Sequence, residues 1–380
     1  MPATVTGHHD RSPRAAPSAR RIRRVRRVRG VRRARRQAVG IPIAVALVVL
    51  LLAEGLVRLS HSALATPMIW PAPELQKKYD QIVARAASRQ PTDVVLVGDS
   101  MMDAGGDPGG VGGAGTGVAG GVYNASVAGE TLPTIADWTT RVVVPRLHPK
   151  VVVVGFSSNE LNPRLLLPAS GVAAYRHSRA VRSAEGIGSP VDRADAFLRH
   201  WSLLYRYRTV LRNPFAHVGP QDPLQAGIFD PALTAAGQDL AFVSQRYLQT
   251  GGTDRARLVI NGVIAALRGF RVSPDNLAIL KGMLTSLRSQ GIQVLLVAMP
   301  VTADLVSFHP AGTTDYQAAL ASFVSVAQAS DAGIAVPGVW PTSEFADPVH
   351  LNGAGTVHFS KYLAPLVRHA LALAGAGRAP

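Results

Sequence analysis

The sequence predicts an α/β fold in which a parallel sheet is covered by helices on both faces. Three uncharged, mostly β-branched runs, Val94-Val95-Leu96-Val97, Val151 to Val154 and Ile292 to Ala298, carry that expectation. Continuous apolarity of this kind marks strands buried on both faces rather than strands with one wet side. Helix-patterned segments separate the runs, and such alternation of strand and helix gives a parallel sheet. The residues best suited to chemistry also fall just after these strands or in the loop before the last helix, where open parallel sheets hold their ligands.

The chain has 380 residues, 47% of them apolar, enough for one large α/β domain with insertions. Its formal charge of +16 is unevenly placed. Thirteen arginines and one aspartate lie between Met1 and Gln37, a net of +12, which leaves +4 for the rest. The basic character belongs to a tail, and the remainder is close to balanced. With no cysteine, disulfides, thiolate metal sites and thiol catalysis are excluded.

The run Ala38 to Leu59 carries charges only at Glu54 and Arg58. A helix over it would be roughly 33 Å long, enough for a bilayer core. Arginines crowd its N-terminal flank from Arg20 to Arg36, so the positive-inside bias keeps the tail cytoplasmic and sends the rest outside. The expectation is a retained signal anchor. A cleaved signal peptide competes, with Ala63-Leu64-Ala65 as a small-x-small site. The distance of that site from the apolar run, and Arg58 and His61 between them, weigh against cleavage. No aromatic residues interleave the arginines as a nucleic-acid surface would require, so lipid is the expected partner.

Trp70 to Gln90 reads as a linker and a helix with Leu75, Tyr79, Ile82 and Val83 at helical spacing. Beyond the first strand come a glycine-rich stretch from Gly105 to Gly121, a short strand at Val122-Tyr123 and a helix over Pro133 to Arg146. Ser273-Pro274 caps and opens a helix that runs to Gln290 and stops at Gly291. Asp315 to Ser330 is helical by its apolar period, Ile334 to Val336 is a short strand, and Ala354 to Leu373 is the closing helix. From Arg164 to Arg271 the alternation breaks into a mostly helical insertion with Trp201, Tyr205, Tyr207, Phe215, Phe229, Phe242 and Tyr247 among arginines. It is expected to lie beside the site.

Gly98-Asp99-Ser100-Met101 places a serine at a strand-to-helix turn. A serine is a weak nucleophile without a base and without donors for the oxyanion that follows. Asp347-Pro348-Val349-His350 can supply the base, because three-residue spacing on a loop lets the carboxylate orient one imidazole nitrogen and leaves the other free; an Asx cap before the helix, with a surface histidine, is the alternative. Asn159, four residues after Gly155, and Gly129, where a backbone N–H could approach a carbonyl, are candidate oxyanion donors. One carboxylate and one imidazole fall short of a three-ligand metal site, and no metal or cofactor is expected.

These four pieces, in this order, resemble the SGNH (GDSL-type) hydrolase superfamily, with blocks at Ser100, at Gly129, at Asn159 and at Asp347 with His350. The resemblance implies a three-layer flavodoxin-like fold. It further implies Ser100 as nucleophile, His350 as base, Asp347 as orienting carboxylate, and an oxyanion hole from the Ser100 and Gly129 N–H groups and the Asn159 amide. Met101 stands where the family has leucine, and Ser157-Ser158-Asn159-Glu160 replaces its Gly-x-Asn-Asp. The expected organisation is a basic cytoplasmic tail (1–37), a transmembrane signal anchor (38–59), a linker and helix (60–90) and an SGNH hydrolase-like domain (91–375) interrupted by the insertion 164–271. An anchored domain of this kind, with Met299-Pro300-Val301 and the Asp347 to Gly353 stretch, more loosely resembles the alginate O-acetylation proteins and the D-alanyl transfer protein of teichoic acid modification. That implies acyl-ester chemistry, acetyl for preference, on an envelope glycan or small ester at a bacterial plasma membrane. Hydrolysis, transfer to a polysaccharide, and an idle scaffold beside a polytopic acyltransferase stay open as readings.

Other motifs point elsewhere only weakly. Gly155-Phe156-Ser157-Ser158-Asn159 lacks the last glycine of a nucleophile elbow. Gly115-Thr116-Gly117-Val118-Ala119-Gly120 matches a dinucleotide pattern but follows no strand and reads as a loop. His309 and His358 read as structural or exposed.

Overall fold

A computed structural model describes residues 41–64, 67, 70, 73–89, 91–113, 115–118, 121–163, 182, 188–212 and 261–376. The arginine tail, Ala38 to Gly40, Ala65 and the insertion's Phe215, Phe229, Phe242 and Tyr247 lie outside the described residues.

Five parallel strands form one sheet: β1 (Val94–Gly98), β2 (Val122–Asn124), β3 (Val151–Phe156), β4 (Gln293–Ala298) and β5 (Gly333–Ala335). Their order is β2-β1-β3-β4-β5, the flavodoxin-like winding. Every residue of β1 and β3 is buried, as their unbroken apolarity requires. Helices Ser100–Gly105 and Pro108–Gly112 pack with the closing helix Gly353–Ala376, whereas Leu132–Trp138, Pro274–Ser289 and Thr313–Ala329 form a second packed group. Right-handed crossovers put these groups on opposite faces of the sheet.

Register brings the ends of β1 and β3 level, pairing Gly98 with Gly155. Close approach explains both glycines. A Cβ on Gly98 would stand 2.2 Å from the Gly155 carbonyl oxygen, and one on Gly155 would stand 2.2 Å from Met102 Cε and 2.9 Å from Met299 Sδ. Without side chains there, the helix that begins at Ser100 folds back tightly over the strand ends.

Local signals fix the helix boundaries. Ser273 Oγ accepts from Asn276 N–H at 3.3 Å with Pro274 in the first turn, and Gly291 ends the segment at φ 76°. The helix expected over Pro133 to Arg146 contains a π turn, Thr139–Val143, in which Val144 N–H reaches Thr139 O. Pro145 has no N–H to give and crowds the preceding turn, and widening the helix absorbs that conflict. In the helix Pro73–Ser88, Leu75 and Ile82 are buried but Val83 is 40% exposed, so the apolar stripe is narrower than its sequence spacing suggests. Within the glycine-rich stretch, Asp107 caps the short helix Pro108–Gly112 by accepting from Gly109 N–H at 2.8 Å. Arg368 donates to Thr116 O at 2.9 Å, so 116–118 is a turn tied to the closing helix.

The chain divides into two units, and the described part of the first is 41–64 with 198–212. The insertion expected over 164–271 is therefore divided, with Leu198–Arg212 grouped with the N-terminal helix. That helix, Ile41–Ser60, has a mean hydropathy of 2.2 over its best window and is long and apolar enough to cross a membrane. Its leucines and valines are largely exposed.

Candidate active site

Ser100 is the first residue of its helix, and Asp99 caps that helix by accepting from Met101 N–H at 2.9 Å. A first-turn amide such as Ser100 N–H has no acceptor one turn back, so it points outward at the carboxyl edge of the sheet. The Ser100 hydroxyl lies 2.8 Å from His350 Nε2, and His350 Nδ1 lies 2.8 Å from Asp347 Oδ2. The consistent tautomer has Nδ1 donating to the carboxylate and Nε2 accepting from the serine hydroxyl.

The two expectations for Asp347, an Asx cap or an orienting carboxylate, coexist in one side chain. Oδ1 accepts the Val349 and His350 N–H groups at 2.9 Å each, while Oδ2 holds the imidazole. Burial alone would raise the Asp347 carboxyl, but His350 and those amides outweigh it and hold it below its ordinary value. The loop is fixed on both sides. Thr302 Oγ1 donates to Pro348 O at 2.8 Å, Ala346 N–H donates to His350 O at 2.8 Å, and Asn352 Oδ1 caps the closing helix through Ala354 and Gly355 N–H.

Gly129 and Asn159 line the same pocket as Ser100 and His350, a hollow of about 330 Å³. Gly129 arrives there because the Ala125 and Val127 N–H groups bond Leu96 O and Gly98 O, carrying the chain alongside the end of β1. Its φ of 75° disfavours other residues, and a Cβ there would meet no protein atom within 4 Å. Asn159 sits in the 3-10 turn Ser158–Leu161, pinned by Asn276 Nδ2 donating to Glu160 O at 2.8 Å and by Ser273 N–H donating to Leu161 O at 2.8 Å. Gly262, Val263 and Ala266, at the end of the insertion, complete one wall.

Sequence reasoning missed a pair of carboxylates beside the site. Asp99 and Glu160 are both buried and both line the pocket. Burial pushes the Asp99 carboxyl up to about 6, against the pull of the Met101 amide and of His350. Burial and the negative charge of Asp99 push Glu160 well above its ordinary value, although its Oε2 accepts from Leu132 N–H at 2.9 Å. Carboxyls with raised values keep protons that the unfolded chain has released above pH about 4. Their contribution to stability is full below that pH and is lost as pH rises through the folded values. Glu160→Gln, whose carbonyl can still accept from Leu132, is therefore expected to lose less melting temperature than the parent between pH 5 and 8 in thermal melts. An equal or larger loss would show that Glu160 is not the proton holder.

The remaining motif residues stand apart from the serine. Ser157 is buried and begins the 3-10 turn. His309 is buried; Nδ1 donates to Leu305 O at 3.1 Å and Nε2 accepts from Ser158 Oγ at 3.0 Å. Burial lowers its pKa, as suits a neutral imidazole bracing that turn. His358 is exposed; it pairs with the Glu344 carboxylate at 2.9 Å and stacks on Trp340 at 4.1 Å. Among the described residues no group of three or more potential ligands could hold a metal.

No family model and no curated protein matches the chain. Three solved structures are similar at a distance. An acylhydrolase from Bacteroides fragilis is 11% identical, with a TM-score of 0.38 over 77% of this chain and 96% of that one. A lipase/acylhydrolase from Enterococcus faecalis is 13% identical, with a TM-score of 0.36 over 73% and 96%. A carbohydrate acetylesterase family member from Sinorhizobium meliloti is 14% identical, with a TM-score of 0.33 over 74% and 100%. Likenesses this distant assign no activity to the chain.

Proposed function

We propose that the chain is an SGNH-type serine esterase that removes short acyl groups, acetyl for preference, from glycans of the cell envelope. The observation that supports this reading best is the unbroken row from Ser100 through His350 to Asp347, with 2.8 Å at each link, opening into a pocket with candidate oxyanion donors. His350 Nε2 takes the proton as Ser100 Oγ attacks the ester carbonyl, and Asp347 stabilises the imidazolium. The Ser100 and Gly129 N–H groups and the Asn159 amide hold the oxyanion. Collapse of that intermediate expels the sugar alkoxide, which receives the proton from His350 and leaves an acyl-serine. Water, deprotonated by the same imidazole, then attacks the acyl-serine and regenerates the hydroxyl.

A pocket of about 330 Å³ is near the lower end for ligand sites, and it must hold part of a sugar as well as the acyl group. That favours a short acyl chain. The apolar helix Ile41–Ser60, with the arginines before it, supports a single-pass anchor with the N-terminus in the cytoplasm and the sheet domain outside.

The test offers the full chain, in detergent, nitrophenyl acetate and octanoate, then an acetylated glycan with and without a second, unacetylated glycan. Expected are labelling by a fluorophosphonate, at least roughly tenfold preference for acetate in kcat/KM (about 1.4 kcal/mol), and free acetate as product. Acetyl appearing on the second glycan would replace hydrolysis by transfer, and a folded chain that neither labels nor turns over would leave a scaffold role. A C-terminal reporter active only in the cytoplasm would overturn the orientation.

A further inference from the structure

Glu54 and Arg58 are the two charged residues of the apolar helix Ile41–Ser60, and the Glu54 carboxylate is well partnered. It accepts from Ser202 Oγ at 2.8 Å, Leu203 N–H at 3.0 Å, Leu204 N–H at 2.9 Å and Arg58 Nε at 2.8 Å. Arg58 Nη2 also donates to Trp201 O at 3.0 Å. A carboxylate on a spanning helix is costly unless partnered and marks a functional place. Here it satisfies the first-turn amides of helix Leu203–Arg206 and fastens 198–212 to the last turns of the apolar helix.

A groove of about 460 Å³ lies against this junction. Leu50, Leu204 and Leu211 give it an apolar wall, and Tyr205, Arg208 and Arg212 give it a polar rim with no acidic residue in the lining. Arg208 is held in place, its guanidinium 3.9 Å over the Tyr205 ring and donating to Tyr205 O at 2.8 Å. Leu50 belongs to the apolar helix, so whatever fills the groove comes from the medium around that helix. A neutral apolar molecule would leave two guanidinium groups against hydrocarbon, and a free anion would leave the leucines uncovered. A molecule with an anionic head and an acyl chain meets both walls.

We propose that this groove binds an anionic phospholipid of the outer leaflet, its phosphate between Arg208 and Arg212 and its chain along Leu50, Leu204 and Leu211. The inference rests on the reading of Ile41–Ser60 as a membrane span. Bound there, the lipid fixes the level at which the second helical segment sits in the headgroup region.

Trp201, 64% exposed and next to Ser202 at the groove, reports on it, since Trp70, Trp138 and Trp340 are buried. The full chain is reconstituted into phosphatidylcholine vesicles containing brominated phosphatidylglycerol or, at equal mole fraction, brominated phosphatidylcholine with the same chains. Trp201→Phe isolates the signal. Stronger quenching by the phosphatidylglycerol is expected. The double variant Arg208→Gln/Arg212→Gln, checked for folding by unchanged helical circular dichroism in the vesicles, should lower that preference about tenfold, since each cation near an anionic headgroup adds a few-fold. Equal quenching by the two lipids in a chain that floats with the vesicles would overturn the groove and leave the span standing. Loss of the preference on adding inorganic phosphate would overturn the lipid in favour of a free anion. A chain that does not float would remove the span, and the lipid site with it.

Discussion

Ser100→Ala is expected to abolish fluorophosphonate labelling and to lower kcat on an acetyl ester by about 10⁵–10⁶, as removal of a serine nucleophile does elsewhere. The magnitude follows from geometry. Ser100 Oγ is hydrogen bonded to His350 Nε2 at 2.8 Å, and the imidazole is held from behind by the Asp347 carboxylate, whose side chain is 3% exposed. Because the residues act as a unit, His350→Ala should cost about as much, and the double variant no more than either. Asp347→Asn should cost about 10⁴, because an amide in that place favours the wrong tautomer while its backbone turn survives. Asn159→Ala should cost less, about 10²–10³, as loss of one oxyanion donor among three. Steady-state kinetics with a circular-dichroism check on folding measures the series. A folded Ser100→Ala chain within tenfold of the parent would end the nucleophile assignment.

Lys78→Ala should destabilise the sheet domain by about 3–5 kcal/mol, a large part of the margin of a typical domain. The Lys78 and Asp103 side chains are 0% and 1% exposed, with Nζ 3.0 Å from Asp103 Oδ1 and 2.8 Å from Asn124 O. Asn124 in turn donates through Nδ2 to Met102 O at 3.1 Å and to Gly106 O at 2.7 Å, so the network seats the helix that carries Ser100. Removing the cation leaves a carboxylate in a site that water cannot reach. Replacing both partners by apolar residues, Lys78→Met with Asp103→Leu, should recover most of the loss, because the desolvation penalty then disappears. Urea melts of the parent, the single and the double variants give the comparison. A single variant within about 1 kcal/mol of the parent would show that the pair is not the seat of that helix.

The strands were legible because their cause is local. A run such as Val151 to Val154 has one stable environment, a sheet covered on both sides, and it is buried throughout. The Ser273-Pro274 cap and the Gly291 stop were legible for the same reason, since each acts within a turn of itself. The π turn at Thr139–Val143 was less so, because Pro145 announces a disturbed helix without saying how it is relieved. The Asp99 and Glu160 pair was not legible, since neither side chain shows in sequence that packing will bury it beside the other. Likewise, nothing in the pattern of Leu198 to Arg212 says that its first amides will be capped by Glu54, 148–150 residues earlier.

The sequence by itself determined the parallel sheet, the apolar N-terminal helix and the placing of the candidate side chains at the carboxyl edge. Periodicity, β-branching and caps act over a few residues, and they hold wherever the segment ends up. Tertiary structure alone decided that Ser100 and His350, 250 residues apart, share a hydrogen bond, and that Lys78 meets Asp103 out of reach of water. Those outcomes depend on which surfaces the sheet brings face to face, and a buried charge or a through-space hydrogen bond exists only once they have closed.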